Sequence, residues 1–127
     1  METNEITREI IRCAYMVHTE LGPGLLESVY KECLAYELTE SGLYVEKEKP
    51  CPLIYKSVQL NLGFRFDLLV EKTVVVEVKA KAQYHDSDFP QILTYLRISG
   101  KQVGLMFNFN LRHLKDGIRR AVLDYRD

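Results

Sequence analysis

Tryptophan is absent from the 127 residues, and cysteine is scarce, with three widely separated residues at Cys13, Cys33 and Cys51. An odd number of widely spaced cysteines provides neither a disulfide framework nor a Cys-x-x-Cys metal pair. They are expected to be buried or half-buried thiols in a reducing compartment, which predicts a cytoplasmic protein.

Long apolar runs are also missing. No stretch approaches the roughly 18 consecutive apolar residues that a membrane span requires, and Glu77 and Lys79 interrupt the longest run. The first five residues are polar and acidic, whereas a signal peptide begins with a basic segment and an apolar stretch. The sequence therefore predicts no membrane partner and no secretory leader.

The chain has no excess of charge of one sign, because 17 Lys and Arg residues balance 18 Asp and Glu residues. This balance excludes a strongly basic protein that coats nucleic acid, so any polyanion site must be a local patch. With 46% hydrophobic and 28% charged residues, the composition is typical of one globular domain, predicted over residues 1–127. The residues that could form a basic patch are Lys79, Lys81, Arg97, Lys101 and Arg112.

Hydrophobic periodicity predicts an α/β chain. Apolar residues three or four positions apart indicate helices over 4–21 and 25–41, separated by the helix-breaking Gly22-Pro23-Gly24. The period then changes to two, and this order indicates a compact three-layer fold with a mixed central sheet flanked by helices. The later predicted elements are strands over 43–48, 51–55, 58–70 and 73–82, a helix over 86–99, a strand over 103–109, and a strand or short helix over 117–123, with the strand preferred.

The strand predicted over 73–82 has the most informative pattern. One of its faces is apolar throughout, and the other is apolar at Val75 before it changes to Glu77, Lys79 and Lys81. This pattern indicates a central strand covered on both faces, with charged groups at its C-terminal end. Ligands of α/β sheets tend to bind at that end.

Asp67 lies ten residues before Glu77, inside another apolar run, so the two runs are expected to form a hairpin. A two-residue turn would direct the two carboxylates to opposite faces, whereas a three-residue loop over 71–73, or a bulge, would place them opposite each other. We predict the three-residue loop. Facing carboxylates repel and require a cation, and Mg²⁺ (or Mn²⁺) fits because such ions prefer carboxylate oxygens.

Other groups near this hairpin are candidates for the same site. The carbonyl of Val78 can complete the metal ligands, and Lys79 can orient a metal-bound water or stabilise charge on a phosphate. Gln91 and Tyr95 share a helix face and can bind phosphate or the lysine. Each feature also has a structural reading: Glu-x-Lys as an ion pair, Gln91 as a surface residue, Tyr95 as a core residue, and Glu27 as compensation of a helix dipole.

Residues 24–30, Gly-Leu-Leu-Glu-Ser-Val-Tyr, have the pattern that names the GxxExxY proteins. Three further segments match: 66–70 (Phe-Asp-Leu-Leu-Val), 77–80 (Glu-Val-Lys-Ala) and 91–96 with its Gln-x-x-x-Tyr-Leu. From about residue 6 to residue 122 the chain resembles this family, which is similar to a compact PD-(D/E)xK nuclease. One departure is Phe66, which stands where the superfamily pattern has proline.

The resemblance implies a restriction-endonuclease-like fold and Mg²⁺- or Mn²⁺-dependent hydrolysis of phosphodiester bonds in nucleic acid, with DNA as the preferred kind. It implies that Asp67, Glu77 and the carbonyl of Val78 hold the metal. It further implies that Glu27 joins the metal shell or binds a second ion, and that Lys79 assists the attacking water. Gln91 and Tyr95 would support the phosphate or the lysine.

Two other functions are left open by the residues. The near-zero net charge favours a noncatalytic nucleic-acid-binding or protein-interaction module that keeps the fold with an idle site. The apolar, tyrosine-containing segment 51–62 is alternatively an interface of a homodimer. Metal binding that depends on Asp67 and Glu77 separates the first alternative from the enzyme, and sizing in solution tests the second.

Overall fold

A computed structural model describes residues 1–61 and 64–123 of the chain. It contains three α-helices, seven strands and a 3-10 turn within these ranges. The elements in chain order are α1 (Thr3–Leu21), α2 (Glu27–Glu40), β1 (Val45–Pro50), β2 (Leu53–Tyr55), β3 (Val58–Leu60), β4 (Arg65–Val70), β5 (Val74–Lys79), α3 (Asp88–Ser99), β6 (Val103–Asn108), the 3-10 turn (Leu114–Gly117) and β7 (Ile118–Val122).

Five of the strands form one mixed sheet in the order β1-β4-β5-β6-β7. The β5–β6 pair is parallel and the other neighbours are antiparallel. The strands β2 and β3 form a separate two-stranded hairpin. The predicted mixed central sheet is confirmed, and β1, which contains Pro50, is an edge strand, as a proline lacking an N–H donor requires.

The two faces of the sheet are covered by different helices. One apolar cluster joins the buried faces of α1 and α2 to Val74, Val76 and Val78 of β5. A second cluster joins α3, through Ile92 and Leu96, to the opposite face of the sheet. The predicted three layers are therefore confirmed, and β5 is the central strand, buried along both faces.

Helix α1 forms because its apolar residues fall on one stripe that the sheet covers. At its start the Glu5 carboxylate accepts a hydrogen bond from the Glu2 N–H, and at its end Gly22 takes a φ of 67° that stops the helix. No helix within the described ranges is long and apolar enough to cross a lipid bilayer. The buried residues of α1 are Ile6, Thr7, Ile10, Cys13, Ala14 and Val17.

Most predicted strands have bounds that differ by one or two residues in the structure, and two differ more. The run predicted over 58–70 is divided between β3 and β4, which belong to different sheets, and residues 62 and 63 lie outside the described ranges. The strand predicted over 73–82 ends at Lys79. It ends early because the buried Asn108 side chain bonds both the N–H and the carbonyl of Lys81, which replaces the strand ladder with a fixed loop.

The β4–β5 hairpin has the predicted three-residue loop. Val70 pairs with Val74, so residues 71–73 form the turn, and Glu71 and Lys72 both have a φ of 54°. The register continues through the pair formed by Leu68 and Val76. This register brings Asp67 to the level of Glu77, where the candidate site begins.

Candidate active site

The β4–β5 hairpin ends in two interlocked carboxylates. Backbone pairing between the two strands stops at Leu68 and Val76. Beyond this pair, backbone N–H groups donate to side-chain carboxylates. The Asp67 N–H donates to Oε2 of Glu77 at 2.9 Å, and the Val78 N–H donates to Oδ2 of Asp67 at 2.7 Å. The two strands thus separate around a pair of neighbouring carboxylates, as the parity argument predicted.

This carboxylate pair lies largely out of water. Glu77 is 6% exposed, and burial, followed by the charge of Asp67, raises the pKa of its carboxyl to about 8. Burial also raises the pKa of Asp67, against the opposing effect of the Val78 N–H bond. Two adjacent, desolvated carboxylates are a poor arrangement for a protein without a cation and a good one for binding a hard cation.

Lys79 is the lysine next to this pair. It is half-buried and stands two residues after Glu77, so its side chain projects to the same side of β5. Its positive charge lowers the pKa of Glu77, Asp67 and Glu27. A hydrogen bond from the Phe109 N–H to the Lys79 carbonyl, 2.9 Å long, fixes its backbone to the end of β6. Lys79 is therefore held beside the two carboxylates.

Glu27 lies at the first residue of α2 and is exposed. Partial burial of its carboxyl raises its pKa, and the charge of Asp67 adds to this increase. In residues 1–61 and 64–123, however, no group of three or more His, Cys, Asp or Glu side chains is arranged to hold a metal ion. Among these residues Glu27, Asp67 and Glu77 thus do not form a three-carboxylate cluster, and the role of Glu27 at a metal stays a prediction.

Of the two predicted residues on α3, Tyr95 lies beside the pair. Burial raises the pKa of its hydroxyl, and the charges of Glu77 and Asp67 raise it further. Its ring packs against Phe64 at 5.2 Å and against Phe66 at 6.1 Å between centroids. Phe66, which stands where the superfamily pattern has proline, therefore supports this tyrosine. Gln91 is exposed on α3, one turn before it.

Two charged residues near Asp67, Lys31 and Glu48, are not among the predicted site residues. Lys31, with only 14% of its side chain exposed, forms an ion pair with Glu48. Glu48 lies between the residues of β1 that pair with Leu68 and Phe66, so it stands across from Asp67, and its φ is 50°. The charge of Lys31 lowers the pKa of Asp67. Lys31 follows Glu27 by four residues, a spacing that predicts a shared helix face; Glu48 carries no comparable signal.

We expect the Lys31–Glu48 pair to contribute more to stability than an exposed pair. A double-mutant cycle with Lys31→Met and Glu48→Gln should give a coupling energy of about 1 kcal/mol, because Lys31 is largely buried. The matched control is the exposed pair of Lys47 and Glu32, at 2.8 Å, which should couple by roughly 0.3 kcal/mol. Equal coupling energies from urea denaturation would contradict this prediction.

The five basic residues do not form one patch. Strands β5 and β6 run parallel, so Lys101, just before β6, lies at the opposite end of the sheet from Lys79. Arg97 is in the last turn of α3, near Lys101. Lys81 is paired at 2.9 Å with an aspartate in the first turn of α3. Arg112, which follows β6, lies at the Lys79 end.

A mixed sheet between helical layers, with two carboxylates and a lysine at the end of its central hairpin, defines a nuclease-like α/β domain. A family model described as the PD-(D/E)XK nuclease superfamily matches residues 4–121, and the chain belongs to that superfamily. The predicted fold and superfamily are thereby confirmed. No curated protein and no solved structure was found to match the chain.

Proposed function

We propose that this protein is a metal-dependent nuclease that hydrolyses phosphodiester bonds in nucleic acid, with DNA as the preferred substrate. The observation that carries the proposal is the interlocked pair of Asp67 and Glu77 with Lys79 beside it, in a chain of the PD-(D/E)XK superfamily. We further propose that the chain is a GxxExxY protein and works in the cytoplasm.

The donor set at the hairpin end fits Mg²⁺ or Mn²⁺. Asp67 and Glu77 offer carboxylate oxygens, and the Val78 N–H points towards Asp67. Because the N–H and the carbonyl of a strand residue point to the same edge, the Val78 carbonyl is directed there too. These three groups would hold the ion, and Glu27 would reach it through a water, since Mg²⁺ keeps several waters.

A bound divalent ion would supply a polarised phosphate and an activated water. The remaining work is assigned to side chains of this chain. Lys79 would orient the attacking water and stabilise negative charge on the phosphate as it develops. The Tyr95 hydroxyl and the Gln91 amide would bind the phosphate or the lysine. The phenyl rings of Phe64 and Phe66, which pack against Tyr95, would exclude water from this side of the site.

The proposal is tested first by metal binding without substrate. Mg²⁺ or Mn²⁺ should raise the melting temperature of the wild-type protein at pH 8, by the equivalent of about 2.7 kcal/mol at 100 times the Kd. Asp67→Asn removes one ligand and should abolish this increase, whereas Asp86→Asn, at an exposed position of the loop before α3, should keep it. Cleavage of labelled DNA and RNA with the same ions then tests the chemistry.

The rival proposal is a noncatalytic module with the same fold. It is favoured by the net charge of -1 and by the absence, among the described residues, of a three-carboxylate group. If neither ion changes the melting temperature and no nucleic acid is cleaved, this alternative replaces the nuclease. The homodimer through segment 51–62 stays a prediction; Ile54, Tyr55 and Val58 are exposed there, and residue 62 lies outside the described ranges.

A further inference from the structure

The turn between α1 and α2, residues 22–26, exposes two leucines. Leu26 is 74% exposed and Leu25 is 42% exposed. Both follow the helix-ending glycine, and Leu26 is the residue that precedes the first turn of α2. Exposed apolar side chains are ordinary when single and scattered, but these two are adjacent, and they lie beside the candidate site.

The turn that exposes these leucines is held rigidly. The hydroxyl of Tyr30 donates to the Gly22 carbonyl at 2.6 Å and accepts from the Leu25 N–H at 3.1 Å. Tyr30 is fully buried, and its ring stacks on Phe109 with 4.8 Å between centroids. The leucines are therefore displayed by a fixed support, and a later contact with a partner costs little ordering entropy.

The same turn lies at the catalytic end of the sheet. The Gly24 N–H donates to Oδ1 of Asn110 at 3.1 Å. Asn110 follows β6 by two residues, and the last residue of β6, Asn108, pairs with Lys79. Leu26 immediately precedes Glu27. The charges of Asp67 and Lys79 shift the pKa of the Glu27 carboxyl, and Glu27 in turn raises the pKa of Glu77. The leucines and the proposed chemistry therefore share one end of the molecule.

We infer that Leu25 and Leu26 contact the bases of a nucleic-acid substrate that is unpaired or unstacked near the bond to be cut. This inference rests on the proposed nuclease function and names its substrate class. A leucine buries no apolar surface when it contacts the charged backbone of a regular duplex, because the base faces there are stacked on one another. Against an exposed base face, or as a wedge between two bases, it buries apolar surface.

The size of the apolar surface favours bases over a protein partner. A standard protein interface buries roughly 800 Å² on each partner, which two leucines cannot supply. In the sequence, Gly24 precedes the two leucines, and the charged Glu27 and polar Ser28 follow them, so the leucines form a short apolar segment. A small apolar surface next to a lysine-containing site is complementary to a nucleotide, in which a flat apolar base is joined to an anionic phosphate.

The test compares two DNA substrates of one sequence, a full duplex and a duplex with a single-stranded branch, each carrying 2-aminopurine at the junction. Wild-type protein with Mg²⁺ should cleave the branched substrate at least about 10-fold faster, the effect of burying one base face. The double variant Leu25→Ser, Leu26→Ser should reduce this ratio to within about 2-fold. Tyr36→Ser, which changes another exposed apolar residue of α2, should keep it.

In parallel, binding of both substrates is measured in a Lys79→Met background, in which cleavage is expected to be too slow to disturb the measurement. The 2-aminopurine fluorescence should change on binding of the branch and should lose this change when both leucines are replaced. An unchanged ratio and an unchanged fluorescence signal in the double variant would overturn the inference. A dimeric wild-type protein and a monomeric double variant would also overturn it, since the leucines would then belong to a protein interface.

The two proposals fail in different ways. If wild-type protein cleaves both substrates at the same rate, the nuclease stands and the role of the leucines is wrong. If it neither binds nor cleaves either substrate, the nuclease proposal falls, and the leucine inference falls with it. The melting temperature of each variant with and without Mg²⁺ shows whether the metal site was left intact.

Discussion

Replacing Glu77 with glutamine is expected to abolish cleavage and, at the same time, to stabilise the metal-free protein at pH 8. The substitution removes one of the two carboxylates proposed to hold the metal, so the rate should fall about 1000-fold or more. The amide oxygen of a glutamine can still accept the Asp67 N–H bond that Oε2 accepts now, so the hairpin should keep its shape.

The gain in stability follows from the direction of the pKa change. Burial and the charge of Asp67 raise the pKa of Glu77 from 4.5 to about 8 in the folded protein. Below pH 4.5 the group is protonated whether the chain is folded or not. As the pH rises from about 4.5 to about 8, the unfolded chain ionises first, so folding loses stability, on the order of a few kcal/mol. Above that range the loss is complete and constant.

Urea denaturation from pH 4 to pH 9 without metal measures this effect. The wild-type free energy of unfolding should fall across the range. That of Glu77→Gln should fall less, because only the raised pKa of Asp67 remains from the pair, and should exceed the wild-type value at pH 8. Glu40→Gln, at an exposed position of α2, should follow the wild type within about 0.5 kcal/mol. A Glu77→Gln protein that is less stable than wild type at pH 8 would mean that the ionised carboxylate stabilises the fold.

Much of the site could be predicted because its geometry depends on periodicity. The side-chain period of a strand is two, so only an odd loop puts Asp67 level with Glu77, and the structure has residues 71–73 in that loop. The change from apolar to charged residues along β5 likewise indicated its buried middle and the end at which the candidate site lies. Strand periodicity and loop-length parity depend only on residues close together in the sequence, so both can be read from the sequence alone.

Features that depend on contacts between distant segments could not be predicted. Glu48 stands across from Asp67 only because of the β1–β4 register, which no local pattern encodes. The early end of β5 depends on Asn108, 27 residues from Lys81 along the chain. The basic residues were grouped by charge alone, and the parallel β5–β6 pair separates Lys101 from Lys79 by the length of the sheet.

The role of Glu27 stays a prediction. The resemblance placed it in a shared metal shell, yet it does not complete a three-carboxylate group in the described residues. Partial burial, and after it the charge of Asp67, raises the pKa of its carboxyl. Where a ligand's position depends on a cation, the sequence can indicate the residue type but not the distance.

Replacing Lys79 with methionine is expected to reduce cleavage by about 100- to 1000-fold while leaving metal binding in place. Methionine keeps much of the length of the side chain but removes the positive charge proposed to orient the water and to stabilise the phosphate. Methionine leaves both carboxylates in place, so Mg²⁺ should still raise the melting temperature. Because Lys79 lowers the pKa of Glu77 and Asp67, its loss favours protonation of the pair, and the same increase should require more Mg²⁺. Arginine should restore little activity, since its planar group does not match an ammonium that points at one oxygen.

The control for this experiment is Lys101→Met, because Lys101 lies at the opposite end of the parallel β5–β6 pair. Single-turnover cleavage at saturating Mg²⁺ separates the chemical step from binding, and the Lys101→Met rate should stay within about 3-fold of wild type. Rates that fall equally in both variants would indicate a loss of general electrostatic attraction for the substrate, not of a group at the bond. Cleavage by Lys79→Met at the wild-type rate would contradict the mechanism, because the two carboxylates and the metal would then suffice to activate the water.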